Sequence, residues 1–200
     1  MIREHFPIII GKSTYIDDIN PKNLAYLYVV RSPIARGIIK NISKPQNSLL
    51  TLTWDDVRSY MPVRLFPGLK AQVAKMPVLA NGRVNFVGQP VLAFVVEDRY
   101  KTEDVAEEVS IDYEELEPVV DPEEALNREP IHPDLKSNVS VDELLQGGDL
   151  SLKDKADVVV SRKIKQHRVV SNPMETKGIV CWWEGDILNV YVGTQAPFGV

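Results

Sequence analysis

The sequence predicts an α+β protein, and three observations carry that prediction. The first is a strand–helix–strand run. Pro90–Glu97 is dense in Val, Leu and Phe, Asp98–Val109 reads as a helix with Thr102 as its N-cap, acidic residues in its first turn and Val105 and Val109 four apart, and Ser110–Glu114 returns as a strand around Tyr113. Elements of these lengths predict a strand–helix–strand unit in a parallel or mixed sheet. The second is that 156–170 and 177–192 consist almost wholly of strand-type sequence. The third lies between them, where Pro118, Pro122, Pro130, Pro133 and Gly147-Gly148 break up periodicity and predict a linker over 119–155.

The other elements follow in order. Tyr26–Val30 is β-branched and aromatic and ends at Arg31-Ser32-Pro33, where proline fixes its own φ and restricts the residue before it. Gly37–Ile42 and Leu49–Thr53 read as two further strands. Trp54–Tyr60 reads as a helix capped by Thr53, with Asp55 and Asp56 at the positive end of its dipole. Residues 62–82 hold Pro62, Pro67, Pro77, Gly68 and Gly82 and predict a long irregular connection, of the kind that is functional or packed on a partner. Val84–Val87 is a short strand before Gly88-Gln89. Asp121–Leu126 suits one helical turn. Near the end, Glu184-Gly185-Asp186 predicts a hairpin turn between Ile179–Trp183 and Ile187–Val192.

Composition narrows the function classes. With 44% hydrophobic and 26% charged residues in 200, the chain is of ordinary globular type and long enough to bury a core without staples. A net charge of −5 gives no support to nucleic-acid binding. No window reaches the roughly 20 apolar residues of a membrane span. The apolar run after Arg3 is cut short by Gly11-Lys12, too soon for a signal-peptide core. One cysteine, Cys181, cannot form an internal disulfide, which fits a reducing compartment, so a cytoplasmic location is expected.

Few residues carry chemistry on their own. The glycine-rich phosphate and dinucleotide fingerprints are missing, and Gly147-Gly148-Asp149 lies in the linker. His5, His132 and His167 are scattered and predict no metal site: His132 reads as a loop residue and His167 as a solvated strand residue. Cys181, in Ile179-Val180-Cys181-Trp182, reads as a small buried hydrophobe. The carboxylates from Glu103 to Glu117 alternate with Val and Ile and read as a solvated face. Glu175 differs: it follows Asn172-Pro173-Met174 and lies close to Trp182 and Trp183, a setting that can tune a carboxylate as a polar anchor in a pocket. On these residues alone, a solvated loop glutamate and a pocket carboxylate both remain open.

Several motifs, taken in order, resemble one family. Gly11 to Asp18, then Val30-Arg31-Ser32-Pro33-Ile34-Ala35, is similar to the opening of the hammerhead domain in the large subunit of molybdenum hydroxylases of the xanthine dehydrogenase, aldehyde oxidase and carbon monoxide dehydrogenase type. Ile34 and Arg36 stand where that family commonly has histidines. Val87-Gly88-Gln89-Pro90 with its strand, Glu103–Glu107, Asp112-Tyr113-Glu114 and Val119-Val120-Asp121-Pro122 continue the resemblance. Ile131-His132-Pro133 to Asn138, Gly148-Asp149 and Ala156–Val160 follow, and Asn172–Thr176 with Thr194–Pro197 resemble the start of the cofactor domain.

The resemblance implies a hammerhead-type α/β domain with a mixed sheet over 1–118, a linker over 119–155 and the first β-rich part of a molybdopterin-binding domain over 156–200. It implies a molybdopterin-molybdenum cofactor for the complete enzyme, not held by this chain alone, with iron–sulfur clusters and FAD on partner subunits. It also implies that Glu175 lines the substrate funnel. The catalytic base and the pterin-binding segments of the family lie further along, so no catalytic residue is expected here. Cys181 does not match the family's copper-ligating cysteine. Two readings follow. In the first, the chain is one piece of an oxidoreductase, completed by the remainder of the large subunit, an iron–sulfur small subunit and an FAD medium subunit in a homo- or hetero-oligomer. In the second it is a non-catalytic assembly module, or gene remnant, with the hammerhead fold. The apolar stretch Thr194–Val200 predicts an unfinished sheet and favours the first. The Met174-Glu175-Thr176 triplet leans toward the carbon monoxide dehydrogenase-like and prokaryotic aldehyde-oxidising branch.

Overall fold

Apolar density decides where the core forms, and it is highest over Pro90–Val96. The computed structural model describes residues 6–63, 65, 68–194, 196 and 198. They form two units, one of 25–150 and one of 1–24 with 151–200. His5, Pro67, Gln195 and Pro197 fall outside the described residues.

In the unit 25–150 the strands are β1 (Tyr26–Arg31), β2 (Gly37–Ser43), β3 (Leu50–Leu52), β4 (Tyr60–Met61), β5 (Met76–Pro77), β6 (Arg83–Val84), β7 (Pro90–Val96) and β8 (Ser110–Glu115). They pair as β1-β7-β3, β6-β2-β8 and β4-β5. The α+β class therefore stands. The parallel pairing expected of the strand–helix–strand run does not: all these ladders are antiparallel, and β7 and β8 lie in different sheets. A crossover makes a parallel pair only when it returns to the sheet it left. Here the Thr102–Glu107 helix packs beside β1, and the chain leaves to pair with β2 instead.

β7 is buried on both faces, as a near-continuous apolar run should be. Its even-numbered residues Leu92, Phe94 and Val96 pack with Val105 of the helix and with Tyr26, Tyr28 and Val30 of β1. Val91, on the opposite face by strand alternation, joins Ala80 and Val84, with Ile39, Ile111 and Tyr113 packed against them. Tyr28 stacks on Phe94 with ring centroids 5.3 Å apart.

Two helices are shorter than the sequence suggests, for local reasons. The helix at Trp54 ends at Val57, because Arg58 takes a left-handed conformation (φ 45°) and Tyr60 opens β4. Asp98, rather than Thr102, starts the second helical run. Its carboxylate accepts the Tyr100 N–H at 3.0 Å and caps a 3-10 turn at Arg99–Lys101, while the Thr102 hydroxyl donates to Arg99 O. The strand expected at Val84–Val87 is reduced to β6.

Residues 121–143 are tied into this unit rather than hanging free. Asp121 caps a turn at Pro122–Ala125. The Asn138 amide donates to the carbonyls of Ala125, Arg128 and Glu129 and accepts the Ile131 N–H. Gln72 donates to Ser137 O, Ser137 Oγ and Val139 O and accepts the Lys136 N–H, and Ala71 bridges Val141. The proline-rich connection 62–82 is thus stapled to the stretch after Pro118.

The unit of 1–24 and 151–200 has a helical turn at Phe6–Ile9, 3-10 turns at Ile16–Asp18 and Leu150–Lys155, and a hairpin of β9 (Ile179–Glu184) and β10 (Ile187–Val192). Gly185, at φ 59°, makes the hairpin turn, and Trp182 stacks on Tyr191 at 5.4 Å. The strand expected over 156–170 is not formed among the described residues: the stretch is exposed and joins no sheet, since strand-type sequence becomes a strand only when a neighbouring strand takes its hydrogen bonds.

Candidate functional site: a cleft built on Glu175

Glu175 sits in a bend at Met174–Glu175, just ahead of β9 and after Asn172, whose φ of 41° turns the chain. Its Oε1 accepts the Ile16 backbone N–H at 3.1 Å across 159 residues of sequence. The Ile16 amide is held by its own turn. The Asp18 carboxylate accepts the Tyr15 N–H at 2.9 Å, and the Asp18 N–H donates to Tyr15 O at 3.0 Å, closing a 3-10 turn with its cap at Tyr15. The Ile16 side chain lies over Gly178, where a Cβ would stand 2.9 Å from Ile16 Cγ2.

These two segments line one cleft of about 440 Å³, with walls from Tyr15, Ile16 and Asp17 on one side and Met174 to Gly178 on the other. That volume suits a small or medium ring. Asp17 and Glu175 against Lys177 make the lining more acidic than basic. The Ile16 amide and Gly178 are contributions that residue-type reasoning missed, because a backbone N–H carries no side-chain signature. The sequence signal was Asp18 three residues after Tyr15, the spacing of a side chain that reaches back to cap its turn.

Other residues singled out by sequence fall elsewhere. His167 is exposed, with no strand around it. His132 is half-buried; its burial lowers its pKa below the usual histidine value, Asp134 opposes this, and Arg36 and Arg83 add to it. Among the described residues, neither His132 nor any other side chain belongs to a group of three or more His, Cys, Asp or Glu that could bind a metal. Cys181 is exposed rather than buried, because the described residues put nothing over its face of β9. The Arg31-Ser32-Pro33 and Gly88-Gln89 motifs meet. Arg31 Nη1 donates to Gly88 O at 2.9 Å, the Ser32 N–H donates to Gln89 O at 2.8 Å, and the Gly88 N–H returns to Ser32 O. Ser32 and Gln89 are buried, and Gly88, at φ 87°, needs the freedom of glycine there. Their role is to lock the start of β7.

Comparison with known proteins places this arrangement. Residues 10–117 match the model of the aldehyde oxidase and xanthine dehydrogenase a/b hammerhead domain, and residues 131–200 match that of the molybdopterin cofactor-binding domain. The chain belongs to the aldehyde oxidase and xanthine dehydrogenase family. It is 31% identical to the nicotine 6-hydroxylase large subunit of Paenarthrobacter nicotinovorans, over 95% of this chain and 25% of that protein. It is 33% identical to the carbon monoxide dehydrogenase large chain of Hydrogenophaga pseudoflava, over 98% of this chain and 27% of that one. Quinoline 2-oxidoreductase from Pseudomonas putida 86 superposes with a TM-score of 0.82 at 28% identity, covering 96% of this chain and 26% of its own. The chain thus spans about a quarter of the length of the relatives it matches.

The full-length members of such a family imply a molybdopterin. A phosphate-bearing anion calls for arginines or a cradle of backbone N–H groups. The Glu175 cleft offers Asp17 and Glu175 instead, with one lysine, and its Ile16 N–H is already donated to Glu175. The cleft does not fit the pterin. It can do something simpler: hold a carboxylate in a fixed place beside apolar and aromatic surface. In the described residues, no helix is long and apolar enough to cross a membrane.

Proposed function

We propose that this chain forms the hammerhead segment and the leading part of the cofactor domain of a molybdenum hydroxylase large subunit, with Glu175 at the substrate approach. The observation that carries the reading is the succession of the two family matches, 10–117 then 131–200, in one chain. On this reading the domains divide as 1–118, 119–155 and 156–200. The remaining three quarters of such a subunit comes from further polypeptide, which holds the molybdopterin. Iron–sulfur and flavin centres on partner subunits take the electrons, in a cytoplasmic complex. The reaction class is hydroxylation of a small aldehyde, heterocycle or carbon monoxide, with water as the oxygen source.

Glu175 enters this reading as a substrate anchor rather than a base. Its carboxylate is positioned by a hydrogen bond and stands in a cleft of ring size, which supports orientation of a ligand that presents an N–H or O–H. The test is to co-express the chain with the polypeptide that supplies the rest of the subunit and measure molybdenum and pterin in the purified material. Co-purification with stoichiometric molybdenum is expected. Recovery of this chain alone as a metal-free monomer, with 160–200 open to protease, would overturn the proposal in favour of an assembly module.

A further inference from the structure

A carboxylate in an exposed bend has many rotamers, and ordering one costs conformational entropy. Glu175 is exposed, yet its Oε1 is tied to a backbone amide from the other end of the sequence. Among the described residues, Oε2 has no hydrogen-bond partner. The amide is placed by features that serve no evident purpose in building a core, since this unit has no buried residue among those described. Asp18 closes the turn through the Tyr15 N–H, and Ile16 is seated where Gly178 leaves room for it.

We propose that the Tyr15–Asp18 turn is the positioning element for Glu175. The Ile16 N–H fixes one carboxylate oxygen and leaves the other as the acceptor that a donor-bearing ligand meets in the cleft. Asp18 and Gly178 are then positioning residues, acting through Ile16. This rests on the reading that Glu175 faces substrate. It adds a substrate preference to it: a ring or hydrated carbonyl with an N–H or O–H is oriented by the free oxygen, and a ligand with no donor is not.

The experiment uses the full 200-residue chain with residue-resolved amide exchange and carboxyl carbon-13 spectra. Exchange at Ile16 should be about fivefold to tenfold faster in Glu175→Ala than in the native chain, as expected when one hydrogen bond is lost. Gly178→Ala, which pushes on Ile16, should speed it in the same direction. Asp18→Ala should shift the Glu175 carboxyl signal, and Asp18→Asn, which keeps an acceptor for the Tyr15 N–H, should restore it. Unchanged exchange at Val180 and Tyr191 in the hairpin shows that each variant is folded; where Gly178→Ala fails that check, Asp18→Ala carries the test. Equal Ile16 exchange in the native chain and Glu175→Ala, or a Glu175 signal that ignores Asp18→Ala, overturns the proposal. None of these readouts involves substrate. The substrate-facing reading fails separately if Glu175→Ala leaves the KM for a probe heterocycle with ring N–H donors, xanthine, unchanged in the assembled enzyme.

Discussion

The unit of 25–150 and the unit of 1–24 with 151–200 are both rich in strand-type sequence, but they use it in opposite ways. In the first, β7 is covered on both faces and Leu92 and Phe94 are wholly buried. In the second, none of the described residues is buried. Trp183 and Ile187 are each 67% exposed, and Leu188, Val190 and Tyr191 are exposed as well. An isolated two-stranded hairpin is marginal in water, and an apolar surface of this kind marks an interaction site. The contrast teaches that one unit supplies its own core, whereas the hairpin's apolar faces call for a cover that the described residues do not provide.

The contrast can be broken most directly by truncating one large side chain in each unit. Phe94→Ala should cost about 3–5 kcal/mol of unfolding free energy, because it opens a cavity where Tyr28, Leu92 and Val105 meet. Trp183→Ala should change stability by less than about 0.5 kcal/mol in the isolated chain, as for a residue with little packing to lose. Urea titration followed by far-ultraviolet circular dichroism compares the two. Equal losses would mean that the hairpin has a core of its own.

A smaller effect is expected where polar groups rather than apolar ones hold the backbone. Asn138 satisfies three carbonyls and one N–H in the loop 125–131. Asn138→Ala strands those groups at about 1–3 kcal/mol. It should also speed tryptic cleavage after Arg128, which is otherwise held by the loop and by ion pairs to Glu117 and Glu124. Cleavage at the native rate would show that the stretch after Pro118 behaves as a free linker.

What the sequence made legible follows the same division. β1, β2, β7, β8 and the hairpin were readable because each has its own pattern of apolar residues and a turn signal beside it. Outside the hairpin, the partner of a strand was not readable: β8 pairs with β2 rather than β7, and nothing local in 110–115 encodes that choice. The strand expected over 156–170 failed for the same reason, since local composition cannot supply a neighbour. At the candidate site Glu175 stood out by its surroundings in sequence. Its hydrogen-bond donor did not, because a main-chain N–H from 159 residues away leaves no trace in residue identity.

The smallest effect should appear at the surface of the well-packed unit, where one carboxylate organises a turn. Glu108 accepts the Gln46 N–H at 2.8 Å, the Asn47 N–H at 3.2 Å and the Asn47 amide at 2.5 Å. These bonds favour the ionised form: the Asn47 side chain contributes most and Gln46 next, and partial desolvation opposes them, so its pKa falls below the usual 4.5. A carboxyl with a lowered folded pKa adds stability that is fully present above the unfolded value and is lost as pH falls through the folded one. The melting temperatures of the native chain and Glu108→Ala should therefore differ by a constant amount from pH 8 to about pH 5.5 and converge as pH drops below about 4.5. A difference that persists unchanged into acid would mean that the turn at Gln46-Asn47 is held by shape alone. Its disappearance would show that the first unit is secured at its edges by charge-assisted bonds, shorter than the one in the hairpin, where Glu184 Oε2 accepts the Asn189 amide at 3.5 Å.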